Sequence, residues 1–254
     1  MIVSKVSKSF LSFEDKLNEI IVNYDNSGVV LVDGERNKIK LFELDGNTIN
    51  IKSFKIPHFI NKIIYRYFRI SKAGRSFLNA EVLIHNHIGT PEPIAYFEEV
   101  SVFGLKRSFY LCRHLYADFM FRDLVENENF PDLENILRQF IRFSFNMHEK
   151  GIEFLDHSPG NTLVKKRVDG NYDFFLVDLN RMNFHKEMGL DSRMKNLSRL
   201  ATKKEMISIM SEEYAILYNK SFKEVFEMMW HYTADFQEKF WRKRRMKKKL
   251  IFWK

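Results

Sequence analysis

"GIEFLDHSPGNTLV", residues 151–164, sets one Asp, one Pro and one Asn in a short polar gap. Before it, "PDLENILRQFIRFSFNMHEKGI" (131–152) carries apolar residues at helical spacing and stops at Gly151, a residue suited to a helix C-terminus. After it, "NTLVKK" (161–166) and "YDFFLVDL" (172–179) read as two short strands hinged by "DGN". The stretch is either an ordinary helix-to-strand loop or one shaped to hold a metal ion and a reacting hydroxyl. Taken alone, an Asp and an Asn five residues apart say little: Asn161 is a turn former and Asp178 a plausible cap or loop residue. The rest of the chain has to decide.

Upstream the pattern is strand-like. "GVVLV" (28–32) is β-branched and continuous, while "IKLFEL" (39–44) and "TINIKSF" (48–54) flank "DGN", a hairpin signal. Pro57 ends this region, Lys62 to His87 turns helical, and "GTPEP" (89–93) punctuates it. "IAYFEEVSVFGLKRSFYLCRHL" (94–115) alternates like two further strands. These segments predict a five-stranded sheet with one helix inserted after the third strand. Helices are expected over most of the chain from about Lys195. The fold class is therefore α+β in two lobes. An N-terminal antiparallel β-sheet lobe with one main helix spans 1–111, and a mostly helical lobe spans 112–254. No internal repeat or low-complexity linker interrupts them.

The ordered set of polar residues suits phosphoryl transfer from ATP. That reaction needs a carboxylate to orient the attacking hydroxyl, oxygen ligands for Mg²⁺, and a cation on the phosphate chain. Asp156 fits the first role, Asn161 and Asp178 the second, and Lys52, on the third strand in "INIK", the last. Lys52 also reads as an ordinary edge-strand lysine.

On these residues "HEKGIEFLDHSPGNTLV…FFLVDLNR" resembles the catalytic segment of the lipopolysaccharide kinase (Kdo/WaaP) family of the protein-kinase-like superfamily. The resemblance runs upstream through "DGERNKIK", "INIKSFKIP", "YRYFRISKAGRSF" and "GTPEPIAYFE", and so covers most of the chain. It implies a protein-kinase-like fold and ATP- and Mg²⁺-dependent phosphorylation of a sugar hydroxyl, on Kdo or heptose, in the lipopolysaccharide inner core. It assigns Asp156 as the catalytic Asp, Asn161 and Asp178 as metal ligands, and Lys52 as the phosphate-binding Lys. For the helix carboxylate that pairs with Lys52 it leaves two positions, Glu81 or one turn earlier, where Leu78 stands. The nucleotide loop departs from a glycine-rich pattern. "DGERNK" (33–38) has Gly34 alone, with Arg36 and Lys38 expected to meet phosphate in place of backbone amides, or else to be plain surface residues.

Other departures lean away from protein substrates. Phe154 and Leu155 precede Asp156 where protein kinases have His-Arg, so no partner for a phosphorylated activation loop is present there. Ser158 replaces a Lys, and "LN" follows Asp178 in place of Phe-Gly. Competing readings are a kinase of another small molecule or of proteins, and a non-catalytic pseudokinase or nucleic-acid-binding module. Arg66, Arg69, Lys72 and Arg75 recur every three residues and read either as a solvated basic face or as contacts for an anionic glycan. His85 and His87 lack a Cys/His partner set and read as structural.

Charge is unevenly spread. The last fifteen residues, "FWRKRRMKKKLIFWK" (240–254), hold eight cations and no acid, which equals the net charge of +8. The body is balanced, and the excess sits in a basic, aromatic tail suited to an anionic membrane surface. Nucleic acid would attract it too but is not the expected partner. With no apolar run long enough for a span, no signal-peptide pattern, and Cys112 as sole cysteine, the expectation is a cytoplasmic protein, peripheral at the inner face of the membrane.

Overall fold

The computed structural model describes residues 2–34, 37–54, 70–102, 104–127 and 129–251. The chain forms two compact units, Met1–Tyr116 with Val177–Arg181, and Ala117–Leu176 with Met182–Lys254.

In the first unit the described strands are β1 (Ile2–Val6), β2 (Val29–Asp33), β3 (Asn37–Leu44), β4 (Asn47–Phe54), β5 (Pro93–Ser101) and β6 (Gly104–Arg113). They make one antiparallel sheet in the order β1-β5-β6-β4-β3-β2. The sequence predicts five strands, and the structure corrects this to six. The added strand, β1, pairs along the β5 edge with Ile2 and Val3 both more than 40% exposed. A strand that buries no face leaves no hydrophobic alternation to read. A 3-10 turn (Lys8–Phe13) and helix α1 (Glu14–Val22) follow it. Phe10, Leu17, Ile21 and Tyr24 cover one face of the sheet, packing with Ile49, Ile51, Phe97, Phe109 and Leu111.

Because side chains alternate along a strand, Ile51 in that core puts its neighbour Lys52 on the opposite face. Ile39 and Tyr110 stand across from Lys52 in the register and share that face. Helix α2 (Lys72–His85) packs against β5 and β6, and its first turn is capped by the Ser71 hydroxyl, which accepts the Gly74 N–H at 3.0 Å. The predicted helix start at Lys62, and Arg66 and Arg69, lie outside the described residues.

The second unit contains helices α3 (Phe121–Glu126), α4 (Leu133–Glu149), α5 (Leu190–Leu197), α6 (Lys204–Tyr218) and α7 (Phe222–Ile251). Short strands β7 (Phe119–Met120), β9 (Thr162–Lys166) and β10 (Tyr172–Leu176) form one ladder, and β8 (Ile152–Phe154) pairs with β11 (Met182–Phe184). The core gathers Phe121, Phe140, Val164, Phe174, Leu197, Met210 and Tyr214. Gly151 ends α4 as the sequence predicts. Its φ is +67°, its N–H donates to the His148 carbonyl at 2.9 Å, and a Cβ there would lie 2.0 Å from the His185 carbonyl oxygen. Helix α7 buries Val225, Met229 and Thr233 and is exposed from Glu238 to Met246. Among the described residues no helix is long and apolar enough to cross a membrane.

Candidate active site

The loop after β8 is held from below by a buried polar chain. Asn196, on α5, donates its amide N–H to the Phe154 carbonyl at 2.8 Å. Its Oδ1 meets His148 Nε2 at 3.1 Å and His157 Nδ1 at 3.2 Å, so each histidine is the donor there. That tautomer leaves His148 Nδ1 to accept the Tyr214 hydroxyl at 2.9 Å. Burial keeps both imidazoles neutral, lowering His148 to about 3 and His157 to about 4, and pushes the Tyr214 hydroxyl up. Helices α4, α5 and α6 thus converge on residues 154–157.

With His157 fixed inward, Asp156 is part exposed. Its Oδ1 lies 3.6 Å from Arg199 Nη1, and the same Nη1 donates to the Leu155 carbonyl at 3.2 Å. The Arg199 guanidinium stacks 5.1 Å from the Phe236 ring centroid on α7. An Arg 43 positions along the chain thus lies beside Asp156, where the residues immediately before it, Phe154 and Leu155, are apolar. Sequence reasoning misses it because no local spacing links the two. Pro159–Asn161 form a 3-10 turn, and the Asn161 Nδ2 donates to the Asp156 carbonyl at 2.8 Å. With its nitrogen anchored in this way, Asn161 presents its amide oxygen as the free acceptor end, the end a hard divalent cation uses.

In the first unit, Lys52 Nζ contacts Asp178 Oδ1 at 2.6 Å, with the side chains 14% and 34% exposed. Asp178 sits two residues beyond β10 in a left-handed conformation, φ +62°, uncommon outside glycine. Asn180 Nδ2 also donates to its Oδ1 at 2.9 Å. Helix α2 grips this turn at two positions one helical turn apart. Asn79 Nδ2 donates to the Leu179 carbonyl at 2.6 Å, and Arg75 Nε to the Asn180 carbonyl at 2.9 Å. Asn79 and Asn180 are not legible as partners from their sequence spacing. Arg75 also donates to the Ile70 carbonyl at 2.7 Å, so it braces backbone.

The remaining candidates are placed as follows. Glu81 is not joined to Lys52: its carboxylate takes Lys5 Nζ at 2.7 Å, and Lys5 belongs to the unforeseen strand β1. Lys38 pairs with Asp33 at 3.1 Å on the surface, and the Gly34 N–H donates to the Asn37 carbonyl at 3.1 Å. Arg36 lies outside the described residues. Cys112 is buried, its thiol pushed up to about 12 by burial, which makes it a packing residue and not a nucleophile. Among the described residues no three metal-capable His, Cys, Asp or Glu side chains cluster; Mg²⁺ needs only one or two carboxylates beside amide, phosphate or water oxygens.

No protein-family model matches the chain, and no curated protein matches it. A solved structure does: WaaP in complex with acyl carrier protein, with a TM-score of 0.63 over 93% of this chain and 97% of that one, at 16% identity. The α+β, protein-kinase-like architecture expected from the sequence is therefore found, and it is the fold of WaaP.

Proposed function

We propose that the chain is a lipopolysaccharide-kinase-like phosphotransferase that moves the terminal phosphoryl group of ATP to a sugar hydroxyl, on Kdo or heptose, of the lipopolysaccharide inner core. The observation that carries this is the Lys52–Asp178 pair. A lysine and an aspartate 126 positions apart meet at 2.6 Å, within the fold shared with WaaP.

The donor set suits Mg-ATP. Asn161, by its amide oxygen, and Asp178 would hold the metal, and Lys52 the phosphates. Bound Mg²⁺ supplies charge neutralisation on the phosphate oxygens. Asp156 orients the acceptor hydroxyl and takes its proton. Arg199, beside it, is a positioning residue that fixes the carboxylate and the Leu155 carbonyl together. Ile39, on the same sheet face as Lys52 and part exposed, offers apolar surface for the nucleobase.

The exposed end of α7, with Phe240 and Trp241 each 49% exposed beside four consecutive cations (242–245), is our candidate for docking on an anionic membrane surface. That would place the enzyme at the inner face of the cytoplasmic membrane, where a lipid-linked acceptor is available. Acyl carrier protein, the partner of the solved WaaP structure, is a second candidate partner, checked by co-purification.

The decisive experiment incubates the purified full chain and Mg-ATP with defined lipid A–Kdo acceptors and weighs the products by mass spectrometry. A gain of one phosphate that disappears in Asp156→Ala, with Mg-nucleotide binding kept, is the expected result. Unchanged turnover in that variant removes Asp156 from the mechanism, and transfer to protein but not to glycan replaces the acceptor class.

A further inference from the structure

The bracing of Asp156 does not end at Arg199. That arginine lies two residues past the end of α5, between the buried Ser198 and Leu200, so its backbone is fixed while its side chain is part exposed. Three groups hold the guanidinium. The Leu155 carbonyl accepts from Nη1 at 3.2 Å, the Asp156 carboxylate lies 3.6 Å from the same Nη1, and the Phe236 ring centroid lies 5.1 Å from Cζ. The first two belong to the candidate catalytic loop. The third comes from α7, 37 positions further along the chain. A carbonyl and a carboxylate restrain a guanidinium along its edge, through its N–H groups, and leave its face free. An aromatic ring against that face removes the remaining freedom of a long, rotamer-rich side chain.

Helix α7 is itself pinned where it meets Arg199. The Tyr232 hydroxyl donates to the Asp191 carboxylate on α5, and Gln237 Nε2 donates to the Thr202 carbonyl at 3.1 Å. These two contacts bracket Phe236. Val225, Met229 and Thr233, buried at every fourth position, form the docked stripe that leads up to it, and from Glu238 to Met246 the helix is exposed. Among the described residues the apolar core of this unit takes side chains of α7 as far as Tyr232, and Phe236 is not one of them. We infer that Phe236 is a positioning residue for phosphoryl transfer. Its ring holds the face of the Arg199 guanidinium, and Arg199 holds the Asp156 carboxylate and the Leu155 carbonyl where the acceptor hydroxyl is received. This role rests on the phosphotransferase reading and adds α7 to the elements that shape its catalytic loop.

The test sets Phe236→Leu, which keeps apolar bulk but loses the ring face, against Phe236→Tyr, which keeps the face. Arg199→Ala and the double variant of Phe236→Leu with Arg199→Ala complete a cycle in the full chain. One readout is kcat and KM for transfer from Mg-ATP to the defined lipid A–Kdo acceptor. The other is amide hydrogen exchange at His157, whose N–H donates to the Phe154 carbonyl at 3.1 Å and closes the turn that contains Leu155 and Asp156. Loss of one cation–π contact is expected to lower kcat about 2- to 30-fold in Phe236→Leu. The KM for ATP should stay unchanged, and Phe236→Tyr should recover most of the loss. The double variant should be no worse than Arg199→Ala, since both changes act through one guanidinium. Exchange at His157 should quicken in Phe236→Leu and in Arg199→Ala, but not in Phe236→Tyr.

Equal kcat in the Leu and Tyr variants, or losses that add in the double variant, overturn the proposal. So does unchanged exchange at His157 in Phe236→Leu, or exchange that quickens equally over the whole second unit, which is the mark of a merely structural side chain. Exchange needs no substrate. If the wild-type chain transfers no phosphate, the phosphotransferase reading fails while His157 exchange still decides whether Phe236 holds the loop through Arg199.

Discussion

Asp156 is adjacent to His157, and the two face opposite ways: one is open to chemistry, the other sealed in a neutral hydrogen-bonded chain. The seal has a pH signature. Folded His157 and His148 titrate near 4 and 3, whereas the unfolded side chains titrate near 6.5. Below pH 6.5 the unfolded chain binds protons that the folded chain refuses. Stability is therefore fully present above that value and falls as the pH drops toward 4, by about 1.4 kcal/mol per pH unit for each histidine. Denaturant melts at pH 7, 6 and 5 should show a smaller loss in His157→Gln than in the wild-type chain. Identical slopes would mean the imidazole is not held neutral. At this scale the sequence is readable where a resemblance singles residues out. Asp156, Asn161, Asp178 and Lys52 stand out in that way as candidates, and the structure brings Lys52 to Asp178. Arg199 and Asn196 do not, since their contacts bridge about 40 residues and leave no local pattern.

Helix α2 and the strands are legible because each buries one face, so apolar residues recur with the period of the element. Strand β1 is not, and its omission carried through to the site: Lys5 is missing from any sequence-based reckoning, and it is Lys5 that the Glu81 carboxylate meets in the structure. The Lys5–Glu81 pair is about 40% exposed, which limits its worth to about 0–1 kcal/mol. Glu81→Gln is accordingly expected to leave both the melting temperature and phosphate transfer nearly unchanged, whereas Lys52→Ala should abolish transfer. A collapse of turnover in Glu81→Gln would return Glu81 to the nucleotide site. The helix acts on the Asp178 turn through Asn79 instead. Asn79→Ala would leave the Leu179 carbonyl without its donor, costing about 1–3 kcal/mol. Hydrogen exchange should then quicken over residues 177–181 and α2 before the rest of the first unit. Exchange unchanged there would show that Asn79 does not hold the turn.

Across the whole molecule the chain leaves its first unit at Tyr116 and sends Val177–Arg181 back to it, so the Asp178 turn belongs with the strand that carries Lys52. No local pattern in the sequence foretells that return, because those five residues show only an apolar strand end and then polar residues around a single Leu179. Charge is the opposite case, fully legible, since counting needs no fold. Residues 242–254 hold the entire +8, and the structure adds that α7 is exposed over 238–246, outside any core. The part of this segment whose exposure is described, 242–246, lies at the surface, so deletion of 242–254 should shift the melting temperature by no more than about 2 °C. Each cation near an anionic lipid surface contributes about 1 kcal/mol, and even three in contact amount to more than a hundredfold in affinity. The full chain should therefore bind vesicles containing anionic lipid and ignore neutral ones, with binding that weakens from 50 to 500 mM salt; the truncated chain should bind neither. Sedimentation of both forms with the two vesicle types reads this directly. Equal sedimentation of the two forms would strip the helix end of its membrane role and leave the +8 for a protein partner.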